Sequence, residues 1–167
     1  MASRSLLVGG PGSSAPRAHD HGNVPAITTV RRALDTTVTT GDDAVTFDTE
    51  IEDELSAWVS GSPTQLVTPT AGLYRIEFQV IWDNGNTDGN RFTRIMVNGT
   101  RVAQSGFVAH DDVNSIMTNQ IYRTLTLAAA DVITFRVGRS LTVSDPVMLG
   151  TDSHGIVASL ARFRNDS

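Results

Sequence analysis

The sequence predicts an all-β protein, an antiparallel jelly-roll β-sandwich that carries an extended N-terminal arm. One segment alternates apolar and polar residues over more than ten positions, which is typical of a strand with one buried face. Short β-rich segments separated by turn residues continue to the end of the chain, which indicates a sandwich or jelly roll. No helical pattern alternates with them, so parallel α/β folds are excluded.

Length and composition limit the function classes. A chain of 167 residues with 40% hydrophobic and 19% charged residues fits one packed domain plus a shorter extension. The net charge is −5 and Arg31-Arg32 is the only adjacent basic pair, which predicts no nucleic-acid partner. The absence of cysteine excludes disulfides and thiolate chemistry. No apolar run approaches the ~20 residues of a membrane helix, which predicts no membrane insertion.

The chain divides into residues 1–29, an extended docking arm, and residues 30–167, the head domain. The arm is rich in Gly, Pro and Ser and has no helical or strand period, so we expect it to take its structure from a partner protein. Residues 30–40 and 44–47 are predicted strands. The acidic stretch 48–62 is expected to be a long loop that packs Trp58 against the sandwich.

After a brief strand at 65–68, the Pro69 to Gly72 corner leads into the central strand. Five of its residues alternate toward one side, so this strand is predicted to face the core or a subunit contact: Tyr74, Ile76, Phe78, Val80 and Trp82. Trp82 is assigned to the core, and Trp58 is the better candidate for an exposed aromatic side chain.

The second half of the chain contains the remaining strands. Asn98-Gly99 between two β-rich runs predicts a tight hairpin. Residues 106–117 are predicted to be a loop, and residues 120–127 and 132–137 a strand pair joined across 128–131. Residues 139–148 are expected to be irregular, and 156–163 the final strand.

The order of several motifs resembles the complement component 1q globular head, a relative of the tumour necrosis factor jelly roll. They are Val45-Thr-Phe47, Pro69-Thr-Ala-Gly-Leu-Tyr74, the Asn98-Gly99 hairpin, Leu125-Thr-Leu-Ala-Ala-Ala-Asp-Val-Ile-Thr-Phe135 and Gly155-Ile-Val-Ala-Ser-Leu160. The resemblance covers about residues 30–167. It departs at Ala130, where the family usually has Gly, and the family's cysteines and collagen stalk are missing.

The resemblance implies a compact homotrimer with the last strand near the threefold axis, and binding or structural work rather than catalysis. Residues 39–50 look most like versions found in bacteriophage virion proteins. We therefore expect a non-enzymatic virion structural protein on the virion surface, a knob of the tail tip or tail fibre. A capsid decoration protein is the alternative, followed by a secreted bacterial lectin-like module. The expected partners are a second virion protein, bound through residues 1–29, and a host cell-surface glycan or protein.

Candidate sites lie in the arm and in the predicted turns. His19-Asp-His21 places two imidazoles on one side of an extended chain, so three copies resemble the metal sites of some phage fibres. The alternative is a pair of solvated linker residues, and no cofactor is otherwise required. The expected surface-binding residues are Asp83, Asn84, Asn86, Asp88, Asn90, His110, Asp111 and Asp112.

Two other interpretations of these turns are weaker. Residues 84–89 partly match a calcium loop, but Ile95 stands where a distal Glu is needed. His110-Asp-Asp112 and Asp152-Ser-His154 contain acid–base and nucleophile residue types, yet no Gly-x-Ser-x-Gly elbow accompanies them. Turn chemistry explains both, so no catalytic residue is predicted.

Overall fold

A computed structural model describes residues 25–38, 41–83, 89–109, 116–140, 147–148, 150 and 155–163. Twelve strands and no helix occur in these ranges: β1 (Ala26–Arg32), β2 (Thr36–Thr37), β3 (Asp43–Ala44), β4 (Thr49–Asp53), β5 (Gln65–Val67), β6 (Gly72–Asp83), β7 (Gly89–Val97), β8 (Thr100–Ala109), β9 (Ile116–Leu127), β10 (Val132–Ser140), β11 (Val147–Met148) and β12 (Ile156–Phe163). All pairings are antiparallel.

The strands form two sheets. Sheet I has the order β9-β6-β12-β1-β4, and β11 and β2 extend it beyond the end of β12 on the same side of β6. Sheet II has the order β8-β7-β10, and β5 and β3 share the other edge of β10. The chain crosses repeatedly from one sheet to the other, among the long strands between β6 and β7, between β8 and β9, and between β9 and β10. These crossings are those of a jelly roll.

The core lies between the sheets and contains the alternate residues of β6. Tyr74, Ile76, Phe78, Val80 and Trp82 are each at most 1% exposed. Phe135 of β10 connects the layers, because its ring lies 5.1 Å from that of Phe78 and 5.6 Å from that of Phe47. Such aromatic contacts between inward faces are typical of a sandwich core.

The turns follow the predicted chemistry in two places. Asn98 and Gly99 have positive φ values of 49° and 75°, as a two-residue hairpin requires. At the β9–β10 turn, Ala130 has a φ of 65° in the position where the complement 1q pattern has Gly. The Asp131 carboxylate accepts hydrogen bonds from the Ala128 amide and from the Asn98 side chain, both at 2.8 Å. This carboxylate therefore ties the turn to the β7–β8 hairpin.

Several element predictions were wrong. Residues 49–53 form strand β4 at the edge of sheet I, not a loop, and β3 covers only Asp43–Ala44. Residues 120–127 and 132–137 are strands but do not pair, because β9 pairs with β6 and β10 pairs with β7.

Strands β8 and β9 extend into the predicted 106–117 loop. Strand β1 begins at Ala26, so residues 26–29, assigned to the arm, belong to sheet I; residues 1–24 lie outside the described ranges.

Candidate interaction surfaces

The outer face of sheet I, the side that points away from the core, exposes apolar and aromatic side chains. Tyr122 is 65% exposed, Ile116 64% and Phe163 38%. The strand register places these side chains on the face opposite to the core residues of β6, since Tyr122 pairs with Glu77 and Ile116 with Asp83. Half-buried apolar residues continue the same face across β1 and β12, namely Ile27, Val157 and Ala161. Sheets with one solvated face ordinarily alternate apolar-in and polar-out, so this face is unusual for a solvent surface.

The charges at the centre of this face neutralise one another. Arg75 and Glu77, two residues apart on β6, form an ion pair at 2.5 Å. The Arg75 guanidinium also lies 5.0 Å from the centre of the Tyr122 ring, a cation–π contact between β6 and β9. A neutral, partly aromatic centre is the composition that protein interfaces favour.

A shallow groove of about 330 Å³ crosses this face where the chain enters β1. Pro25, Ile27, Ala161 and Phe163 form its apolar part, and Glu52 lies at its edge. Pro25 immediately precedes β1, so the groove lies at the start of this strand.

A second cavity of about 300 Å³ opens between the sheets beside β2 and β3. Arg32 lines it, donates from Nη1 to the Thr46 carbonyl at 3.0 Å and also donates from Nε to the Thr36 hydroxyl. These hydrogen bonds fix Arg32 to Thr36 and Thr46 of the same chain. Residues of the protein therefore occupy these donors of the Arg32 side chain.

Of the predicted surface-binding residues, the structure describes two. Asp83 is exposed at the end of β6, opposite Ile116, and Asn90 is exposed near the start of β7. Asp83 and Asn90 lie on either side of the segment that connects β6 of sheet I to β7 of sheet II. The other predicted site residues lie outside the described ranges: His19, His21, Asn84, Asn86, Asp88, His110, Asp111 and Asp112. Asp152 and His154, for which no site was predicted, also lie outside them.

The described part of the chain offers neither a metal site nor a membrane-spanning helix. It contains no group of three or more His, Cys, Asp or Glu side chains arranged to hold a metal ion. It also contains no helix long and apolar enough to span a membrane. Trp58 packs against the core, as predicted for the 48–62 stretch, and bridges to Leu66. It is half-buried, so the expectation of an exposed aromatic side chain was wrong.

The sequence contained a signal for the outer face of sheet I that the prediction missed. In β9 the inward residues Asn119, Ile121 and Leu127 are buried, while Ile116 and Tyr122 occupy the outward positions. A strand that carries large apolar residues on both sides has two surfaces to bury. The pattern is visible in the sequence once the strand is extended back to Ile116.

No protein-family model matches the chain, and no curated protein matches it. Solved structures do match. Murine APRIL at pH 5.0 is 10% identical with a TM-score of 0.60, over 83% of this chain and 98% of that one. The globular domain of the zebrafish complement 1qA protein is 15% identical with a TM-score of 0.59, over 84% and 99%. The Eiger TNF of S. frugiperda is 10% identical with a TM-score of 0.58, over 86% and 96%.

These likenesses confirm the predicted fold class, an all-β jelly roll of the complement 1q and tumour necrosis factor kind. None of the three proteins is named as an enzyme. At 10% to 15% identity these likenesses show the fold alone, since one fold can carry many functions.

Proposed function

We propose that the chain is a non-enzymatic structural protein of a bacteriophage virion whose head domain assembles as a homotrimer through the outer face of sheet I. The observation that carries the assembly is the exposure of Tyr122, Ile116 and Phe163 on this face. Exposed apolar patches on soluble proteins mark interaction sites, and tyrosine is enriched in interfaces. The complement 1q resemblance implies three copies with β12 near the axis.

The mass of the full chain in solution tests the homotrimer. We expect about 54 kDa, three times the chain mass of 17.9 kDa, by light scattering after size exclusion. Val157→Arg places a charge on the half-buried outer side of β12, where it opposes close contact between copies. This variant should run at the monomer mass with an unchanged far-UV circular dichroism spectrum.

The matched control is Val132→Arg, a half-buried valine on the outer side of sheet II. It should keep the trimer mass. A monomeric wild type would contradict the homotrimer. A Val157→Arg variant that stays trimeric would show that the copies meet elsewhere.

The virion assignment is supported by the resemblance of residues 39–50 to phage virion proteins. We place the knob at the tail tip or tail fibre, attached through its N-terminal arm. The turns around 83–90 and 106–114 would then meet a host cell-surface glycan or protein. Capsid decoration by the same trimer is the second candidate, and a secreted lectin-like module is the third.

Immunogold labelling of intact particles, with antibody against the head domain, tests these candidates. Label at the tail end of the particle supports the adsorption role. Label over the phage capsid would make the chain a decoration protein, and no label on any particle would contradict both. Deletion of residues 1–24 leaves β1 intact and should release a folded head from the particle. Particles that retain this truncated head at full occupancy would contradict the docking arm.

A transition metal at the threefold axis, held by His19 and His21 of three copies, is a separate proposal from the sequence. Six imidazole ligands suit such a metal. Metal analysis of the purified full chain should find about one ion per three chains and none in the double His19→Ala, His21→Ala variant. Equal metal contents in the two proteins would contradict this site.

A further inference from the structure

The outer face of sheet II carries three arginines from three neighbouring strands, which we call the arginine row: Arg136 of β10, Arg94 of β7 and Arg101 of β8. The register pairs Arg136 with Arg94 directly across the two strands. It also pairs Arg94 with Gln104, three residues after Arg101 on β8. Adjacent strands lie about 4.8 Å apart, so the row spans roughly 10 Å across the sheet.

Acceptor groups of two residues, Asp42 and Gln104, hold the arginine row in place. The Asp42 carboxylate lies 3.2 Å from Nη1 of Arg94 and 3.1 Å from Nε of Arg136. The Asp42 carbonyl accepts a further hydrogen bond from Nη2 of Arg136 at 2.9 Å. The Gln104 side-chain oxygen accepts from Nε of Arg94 at 2.8 Å and from Nη1 of Arg101 at 2.7 Å. Guanidinium groups that are already fixed lose less side-chain entropy when a ligand binds.

Phe92 supports the centre of the row. The Arg94 guanidinium lies 4.0 Å from the centre of the Phe92 ring, a stacked cation–π geometry. The ring in turn lies over Gly138, where a Cβ atom would come within 2.2 Å of its Cζ atom. The Arg94 and Arg136 side chains remain 22% and 34% exposed, so they are both fixed and accessible.

The charge of this face opposes that of the whole molecule. Among the described residues, Asp42 is the carboxylate that forms ion pairs with the row, whereas the chain carries a net charge of −5. Like charges directly opposite each other on adjacent strands are destabilising, and Arg94 and Arg136 form such a pair. Exposed ion pairs contribute about 0–1 kcal/mol, so stability alone is a weak reason to place two arginines around one carboxylate and a third arginine beside them. An anionic ligand would relieve this repulsion.

We propose that the arginine row binds an acidic polysaccharide through its carboxylate, sulfate or phosphate groups. Guanidinium forks match the geometry of these oxyanions. The row is flat and lies across the strands, which suits an extended chain with repeated charges. A peptide ligand would need an apolar anchor pocket, and nucleic acid would need a wider basic surface than three residues. One head carries the complete row, so this inference stands whether or not the homotrimer forms.

Fluorescence anisotropy of labelled dextran sulfate, titrated with the full chain, tests the proposal. Dextran sulfate should bind at about 50 mM salt and weaken toward about 200 mM, with a log–log slope near −2 to −3 for three released counterions. Uncharged dextran should not bind. Arg101→Glu should weaken binding at least about tenfold, because it reverses one exposed contact. The triple variant Arg94→Gln, Arg101→Gln, Arg136→Gln should abolish it.

The matched control is Arg123→Glu, an exposed arginine on β9 of sheet I with the same change of charge. It should leave the affinity within about twofold, because Arg123 belongs to sheet I and is not one of the three arginines of the row. Equal losses in Arg101→Glu and Arg123→Glu would show nonspecific attraction and overturn the site. Tighter binding of polyglutamate or duplex DNA would assign the row to an acidic protein or a nucleic acid instead. Light scattering of the same samples reports the homotrimer independently.

Discussion

The Tyr74 hydroxyl donates a hydrogen bond to the Thr70 carbonyl at 2.7 Å, and this bond closes the corner through which the chain enters β6. The Tyr74 ring is fully buried in the core, whereas Thr70 is exposed. One aromatic residue therefore fills the core with its ring and fixes the backbone of the preceding turn with its polar tip.

Replacement of Tyr74 by Phe should lower the free energy of unfolding by about 1 kcal/mol. The ring stays in the core, the hydrogen bond is lost, and the exposed Thr70 carbonyl regains water. Urea unfolding at a fixed protein concentration measures the change, because assembly makes the stability depend on concentration. Thr70→Ala keeps the main-chain acceptor and should change stability by less than about 0.5 kcal/mol. A larger loss for Thr70→Ala than for Tyr74→Phe would contradict this account.

Replacement of Ala130 by Gly should stabilise the protein by roughly 0.5–1 kcal/mol. Ala130 has a φ of 65°, where an L-residue is strained by about 1–2 kcal/mol. Glycine removes that strain but loses more entropy on folding, so the net gain is smaller. Ala129→Gly, one residue earlier and without a positive φ, should not stabilise. Thermal unfolding of the two variants side by side checks the sign, and a lower midpoint for Ala130→Gly would contradict the prediction.

The fold was predictable wherever the sequence pattern is local. The alternation from Tyr74 to Trp82 and the Asn98-Gly99 turn specify a strand and a hairpin without reference to the rest of the chain. Strand β4 was missed because Glu50 and Glu52 give it a charged edge-strand composition without an apolar alternation. Strand β9 pairs with β6 and not with its sequence neighbour β10. This pairing depends on packing between segments distant in sequence, which a local pattern does not predict.

The surfaces were less predictable than the fold for the same reason. Arg94, Arg101 and Arg136 are isolated in the sequence, and only the register of β10, β7 and β8 brings them together. Asp42, which holds two of them, comes from a turn that precedes them by more than fifty residues. A count of adjacent basic residues therefore could not reveal a basic face on an acidic chain.

Replacement of Asp53 by Ala should destabilise the protein by about 2–3 kcal/mol. The Asp53 carboxylate accepts hydrogen bonds from the Ala57 amide at 2.8 Å and the Trp58 amide at 3.3 Å, and also from the buried Thr28 hydroxyl. Hydrogen bonds to charged groups are worth about 1.5–3 kcal/mol, and the Thr28 hydroxyl would be left buried. Urea unfolding reports the loss, and acrylamide quenching of tryptophan fluorescence reports greater exposure of Trp58, because Trp82 is buried. Glu50→Ala, an exposed carboxylate on the same strand, should change stability by less than about 0.5 kcal/mol.

Replacement of Gly138 by Ala should destabilise the protein by about 1–3 kcal/mol, the usual cost of an overpacked site. A Cβ atom there would lie 2.2 Å from the Gly41 carbonyl oxygen and 2.2 Å from Cζ of Phe92. The carbonyl is main chain and cannot rotate away, so the turn or the ring must shift. Urea unfolding measures the loss, and Gly61→Ala is the control, because a Cβ at Gly61 meets nothing within 4 Å.

The same substitution should also weaken dextran sulfate binding, because displacement of Phe92 removes the support of Arg94. Gly61→Ala should leave both stability and binding unchanged within about 0.5 kcal/mol and twofold, respectively. A Gly138→Ala variant that loses stability but keeps full affinity would show that the Phe92 stack does not position the arginine row. The row would then depend on Asp42 and Gln104 alone.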